Sequence, residues 1–178
     1  DEETQPAVHR LVDKCARFLK KVMVELRREF PTMSPCHCPM TWSPPELAPW
    51  VSNDECGALS TGMFEEFCLP ELVDLSETFG GLGMHCCAGA EHQFPAFGRI
   101  KNLYGFNRVP ASHGFDSLFP RFGGAEGPLH AIAWQPVEVV EKLIRSAPAG
   151  TRFIFDVTQD SLDATQRVID RLRAIPVT

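Results

Sequence analysis

Histidine and cysteine crowd into one stretch of the chain, Phe79 to His92, which reads FGGLGMHCCAGAEH. It opens as an apolar, glycine-rich run with the pattern of a buried strand and ends in His85, Cys86, Cys87, Glu91 and His92. Side chains alternate faces along a strand, so His85 and Cys87 share one face and Cys86 takes the other. An imidazole and a thiolate aimed together make half of a tetrahedral zinc site, and a catalytic zinc keeps one position open. A plainer reading fits the same residues, with Cys86 and Cys87 as small core residues and His85 as a satisfied buried histidine. A second ligand-like group, Cys36, His37 and Cys38, lies in the proline-dense segment Thr32 to Pro49. Proline makes that segment a loop without regular hydrogen bonding, and a lone C-x-C serves loop packing as readily as metal or substrate contact.

Those groups need elements to hold them. From Val8 to Glu29, Leu11, Val12, Cys15, Phe18, Leu19, Val22, Met23 and Leu26 recur at spacings of three and four, which predicts an amphipathic helix with Cys15 on its core stripe. Trp50 to Ser52 reads as a short strand that delivers Asn53, Asp54 and Glu55 to its end. Ser60 is placed to cap a helix carrying Met63, Phe64, Phe67, Leu69, Leu72, Val73, Leu75 and Phe79, and Pro70 predicts a kink or stop near Cys68. Gly80 and Gly81 then end the helix and lead into a strand from Leu82 to Cys86. Further strands are predicted at Asn102 to Phe106, Leu129 to Trp134 and Arg152 to Val157. Short helices at Phe94 to Gly98 and Ser117 to Phe122 alternate with them, as do longer ones at Val137 to Arg145 and Ser161 to Leu172, the last turning Leu162, Val168, Ile169 and Leu172 inward.

Strands alternating with helices imply parallel strands joined by right-handed crossovers, hence an α/β layer or barrel. Polar residues follow each strand, at Asn53 to Glu55, His85 to His92, Asn107 to His113, Gln135 and Asp156 to Asp160. In a parallel barrel all of these share the C-terminal rim, where active sites are built. His113 and Asn107 are rim candidates for substrate contact, and Trp134 either walls the pocket or fills core.

Composition narrows the class. A length of 178 residues with 44% hydrophobic content suits one domain with a sizeable core. No stretch approaches the roughly 20 apolar residues of a membrane span. A net charge of -6 argues against a nucleic-acid surface, which would cluster Lys and Arg. Seven cysteines, an odd count, with no export signal at DEETQP, point to a reducing cytoplasm where thiols act as ligands, nucleophiles or core residues.

With Asp54, His85 and Cys87 placed, the chain resembles the uroporphyrinogen decarboxylase superfamily, which holds porphyrinogen decarboxylases and cobalamin-dependent zinc methyltransferases. SNDECGALSTGMFEEFCLPEL is similar to the family segment in which an acidic or hydroxyl residue ends a strand and a helix runs into F-x-x-P, the match lying in Asp54, Gly57, Leu59, Met63, Phe64, Phe67, Leu69 and Pro70. MHCCAG resembles the methyltransferase H-x-C-G strand end, with Ala88 where the glycine would stand, and GPLHAIAW through IRSAP resembles the penultimate unit. The resemblance runs from about His9 to Ile175 and implies a partial (β/α)8 TIM barrel, the C-terminal portion of a uroporphyrinogen decarboxylase-like barrel. Closure then falls to a partner copy in a homo-oligomer or to an N-terminal half, because bare sheet edges and core surface are costly.

Three functions follow as expectations. In the methyltransferase reading His85 and Cys87 hold zinc, Asp54 orients a substrate group, and methylcobalamin on a separate corrinoid protein donates the methyl group to a small-molecule thiol. That subfamily takes a third ligand, a cysteine, from the last strand, but FIFDVTQD has none, which leaves Asp156, Asp160 or Glu91 as oxygen ligands. In the decarboxylase reading Asp54 holds pyrrole N–H groups and Arg99, Lys101, Arg108 and Arg121 are the cations on offer; the histidine expected after the last strand is missing between Asp156 and Asp163. The third reading is a binding module that kept the scaffold and lost turnover.

Overall fold

The computed structural model describes residues 3–36, 38, 42–109 and 114–176. His37 and His113 therefore lie outside the described residues. Element order is α1 (Gln5–Glu29), β1 (Trp50–Ser52), α2 (Thr61–Phe67), α3 (Leu69–Phe79), β2 (Leu82–Cys86), α4 (Phe94–Phe97), β3 (Leu103–Arg108), α5 (Phe119–Phe122), β4 (Leu129–Ile132), α6 (Val137–Ser146), β5 (Phe153–Phe155) and α7 (Leu162–Arg173). A 3-10 turn, Asp54–Ala58, leaves β1, and another, Glu91–Gln93, leads into α4.

Local chemistry sets the boundaries. The Ser60 hydroxyl accepts the Met63 N–H at 3.2 Å and starts α2. Cys68 then separates α2 from α3, with Pro70 in the first turn of α3, where its missing N–H costs nothing. Gly80 ends α3 in the left-handed conformation at φ 74°.

The five strands form one parallel sheet in the order β1-β2-β3-β4-β5. Consecutive order with right-handed crossovers puts the connecting helices on one face. Burial agrees: Leu82, Met84 and Cys86 of β2, Phe106 of β3 and Ile132 of β4 share a core with Phe64, Leu69, Leu72, Leu75, Phe97 and Leu143 from the helices. Edge-to-face phenylalanines knit it, with centroid separations of 5.4 Å for Phe64–Phe97 and 5.3 Å for Phe106–Phe122. The result is an α/β arrangement compatible with an arc of a barrel, in which β1 and β5 are the edges among the described residues.

On the opposite face Trp50 lies across two glycines paired in register, Gly83 and Gly105. A Cβ at Gly83 would stand 1.9 Å from Trp50 Cε3, and one at Gly105 would stand 2.3 Å from Trp50 Cζ3. Hence the glycine-rich start of β2: it makes room for an indole.

Two expectations are corrected. Leu162 does not turn inward but is 88% exposed, because α7 begins beyond the last strand, and its Val168, Ile169 and Leu172 are only half-buried. Cys15 is exposed rather than core: α1 buries only Ala16 fully, and Leu11 and Phe18 stay in solvent although the apolar stripe is as predicted. No helix among the described residues is long and apolar enough to cross a membrane.

The seating of Trp50 gives a direct test. Gly83→Ala should destabilise the fold by about 1–3 kcal/mol through overpacking against a rigid ring. Combined with Trp50→Phe, the cost should be less than the sum of the two single changes, read by urea denaturation.

Candidate metal centre

Parallel pairing brings the site together. Ser52 pairs with His85 across β1 and β2, and the ladder continues for one more bond, from Asn53 N–H to His85 O at 2.9 Å. Asp54 therefore arrives beside the end of β2, where its Oδ1 accepts the Cys87 N–H at 3.0 Å and lies 3.2 Å from His85 Nε2. One donor atom each from Asp54, His85 and Cys87 fall within 4.8 Å of one another. His85 and Cys87 point to a shared place, as strand alternation predicts, while Cys86 turns into the core and meets Cys56 with sulfurs 3.6 Å apart. The plain reading thus holds for Cys86 and also for His85, which is buried with both ring nitrogens partnered, whereas Cys87 is exposed rather than core.

Asn107 decides what His85 can offer. It pairs with His85 across β2 and β3 and is buried behind the ring, so it sits as a positioning residue rather than on an open wall. Its Nδ2 donates to Ala131 O of β4 at 2.5 Å, which turns Oδ1 toward His85 Nδ1. An amide oxygen only accepts, so Nδ1 donates a ring proton to it and Nε2 is the nitrogen turned toward the site. Holding the far nitrogen in this way is how metal-binding histidines are oriented.

The acids expected beside His85 and Cys87 fall in different places. Glu91 pairs with the fully buried Arg108, which also donates to Ala88 O and lies 5.9 Å over the Phe94 ring. This clip fastens the loop that presents Cys87. Asp156 follows β5 and lines a cavity of about 320 Å³ with Trp134, Gln135, Thr158 and Gln159. Trp134 is 65% exposed there and holds φ 57°, a left-handed conformation rare for a bulky residue. Asp54 takes the place beside the imidazole that the sequence left open among Asp156, Asp160 and Glu91. The expected decarboxylase cations are also engaged: Arg99 to Glu65, Lys101 to Glu77 and Arg108 to Glu91, with Arg121 lining a cavity with Asn102, Leu103 and Pro128, at the strands' other ends.

What the sequence understated is Cys38. Carried in by the proline-rich loop, its sulfur stands 3.6 Å from His85 Nε2. Only the C-x-C spacing hinted at it.

The donor chemistry fits zinc. Two ligands on one tetrahedral zinc, at bond lengths of about 2.0–2.3 Å, stand about 3.3 Å apart for nitrogen and oxygen and about 3.5 Å apart for nitrogen and sulfur. His85 Nε2 to Asp54 Oδ1 is 3.2 Å. Without a cation both thiols stay protonated at neutral pH: hydrogen bonding to Asp54, then burial, pushes the Cys87 thiol up to about 11, and burial followed by the Asp54 charge raises Cys38. Comparison of the chain with family models, curated proteins and solved structures finds no match.

Two outcomes are expected. In metal-free protein the thiolate of Cys87 forms only as pH approaches about 11, so its alkylation rate should still be rising well above the pH where ordinary cysteines level off. Asp54→Asn, removing the chief cause, should move that midpoint down; mass spectrometry of the Cys87 peptide across pH would read both. Glu91→Ala should cost about 3–5 kcal/mol by stranding a buried guanidinium, yet leave metal stoichiometry intact, as seen by thermal melts and metal analysis.

Proposed function

We propose that this chain is a zinc-dependent methyltransferase domain of the uroporphyrinogen decarboxylase type, activating a small-molecule thiol for methylation. The observation that carries the reading is the convergence of Asp54, His85 and Cys87 donors at neighbouring strand ends. His85 offers Nε2 with its tautomer fixed by Asn107, Cys87 offers sulfur from the exposed side, and Asp54 is the oxygen ligand in place of the last-strand cysteine. Bound zinc would supply the Lewis acidity that lowers a substrate thiol's pKa toward neutrality. Asp54 and the buried Asn107 hold the ligand set in place, so little is reorganised when substrate arrives. The methyl donor, methylcobalamin on a corrinoid partner protein, rests on the resemblance alone. So does the finer architecture, in which this sheet is an arc of a (β/α)8 barrel completed by a second copy or an N-terminal half.

The ion pairs that occupy Arg99, Lys101 and Arg108 weigh against a decarboxylase, which needs positive groups for its substrate's acid arms. Purified protein should carry about one zinc per chain, held tightly at neutral pH as for other thiolate and imidazole sites. His85→Ala and Cys87→Ala should each lose it, and with it any thiol-dependent demethylation of methylcobalamin followed by absorbance. A parent protein without zinc, or variants with unchanged content, ends this reading.

A further inference from the structure

The loop cluster Cys36–Cys38 is the one ligand-like motif that the three-residue centre leaves unused. Cys38 is half-buried and belongs to a loop that joins α1 to β1, yet its sulfur reaches His85 across 47 positions of sequence. Its 3.6 Å separation from Nε2 is the spacing of nitrogen and sulfur ligands on one tetrahedral zinc, about 3.5 Å. The atom approached is Nε2 and not Nδ1, which Asn107 has already engaged. Asp54 stands on the same nitrogen at 3.2 Å. A carboxylate oxygen and a thiol sulfur thus approach the same ring nitrogen, although Cys38 stands outside the group of Asp54, His85 and Cys87 donors that lie within 4.8 Å of one another, and a cation held by those three would draw its sulfur in.

We infer that Cys38 is a fourth ligand of this centre, so that the resting metal is held by two sulfurs, one nitrogen and one oxygen. The inference rests on the metal reading above and extends it. Each sulfur gives up its proton on coordination, and the two protons leave to solvent. The proline-rich loop then has a chemical role, bringing the chain's own thiol to the position that a substrate thiol would otherwise find open.

Cobalt(II) added to the intact, metal-stripped protein reads the number of sulfur donors through its sulfur-to-metal charge-transfer band. Cys38→Ser should reduce that band by about half, as Cys87→Ser should, since each removes one of two thiolates. Zinc affinity, measured against a chromophoric chelator, should fall at least about tenfold, while Cys36→Ser changes neither reading. In the parent protein, without any substitution, zinc should protect Cys38 from iodoacetamide. A band and an affinity unchanged in Cys38→Ser, with Cys87→Ser still losing signal and Cys38 still alkylated in the zinc form, overturn the fourth ligand and leave the three-residue centre standing. Failure of the parent to bind cobalt or zinc overturns both.

Discussion

The bond from His85 Nδ1–H to Asn107 Oδ1 is the contact on which the site depends. It joins directly paired positions of two parallel strands, and a third strand fixes its sense through Ala131 O. Without the amide's orientation, the ring could turn either nitrogen toward Asp54. Shifting β3 by one residue would put a side chain of the opposite face behind the ring, so the register of the sheet is itself part of the site.

A single strand meets two demands here because its faces divide the work. Leu82, Met84 and Cys86 pack into the phenylalanine-rich core, while Gly83 and His85 turn to the other side. Gly83 and Gly105 give up side chains so that Trp50 can lie flat, which leaves Trp50 only 5% exposed below the imidazole's level in the ladder. The cost of two glycines in strands is offset by burial of an indole, the largest apolar area a side chain offers. Beyond the strand, the Arg108–Glu91 clip ties the loop after β2 to the end of β3, and the close approach of Gly57 to Ala88 sets the turn after β1 against the same loop.

Much of this was legible in the sequence because it depends on local rules. Alternation separated Cys86 from His85 and Cys87, Ser60 and Pro70 marked helix boundaries within a residue or so, and β-α order gave a parallel sheet. What depends on register or on distant segments was not legible. Asn107 ends a strand like any polar rim residue, and only its pairing partner shows that it serves His85. Glu91 is as near to Cys87 in sequence as a ligand could be, but a guanidinium buried 17 positions later claims it. Leu162 and Cys15 kept the right periodicity in helices with too little opposite them to bury, since periodicity names the apolar face and not its partner.

The electrostatic character of the centre follows from the same assembly. Asp54 is drawn in by the continuation of the β1–β2 ladder, and its charge then makes both nearby thiols harder to ionise. The carboxylate and the thiols oppose one another's ionisation, while backbone and amide bonds to Asp54 and Asn107 and the contacts of His85 with Asp54 and Cys38 hold the groups together. A divalent cation bound there would reverse those penalties, because thiols that resist losing protons alone lose them readily beside a positive charge. Folding thus assembles the repulsion in advance, and binding a cation would release it.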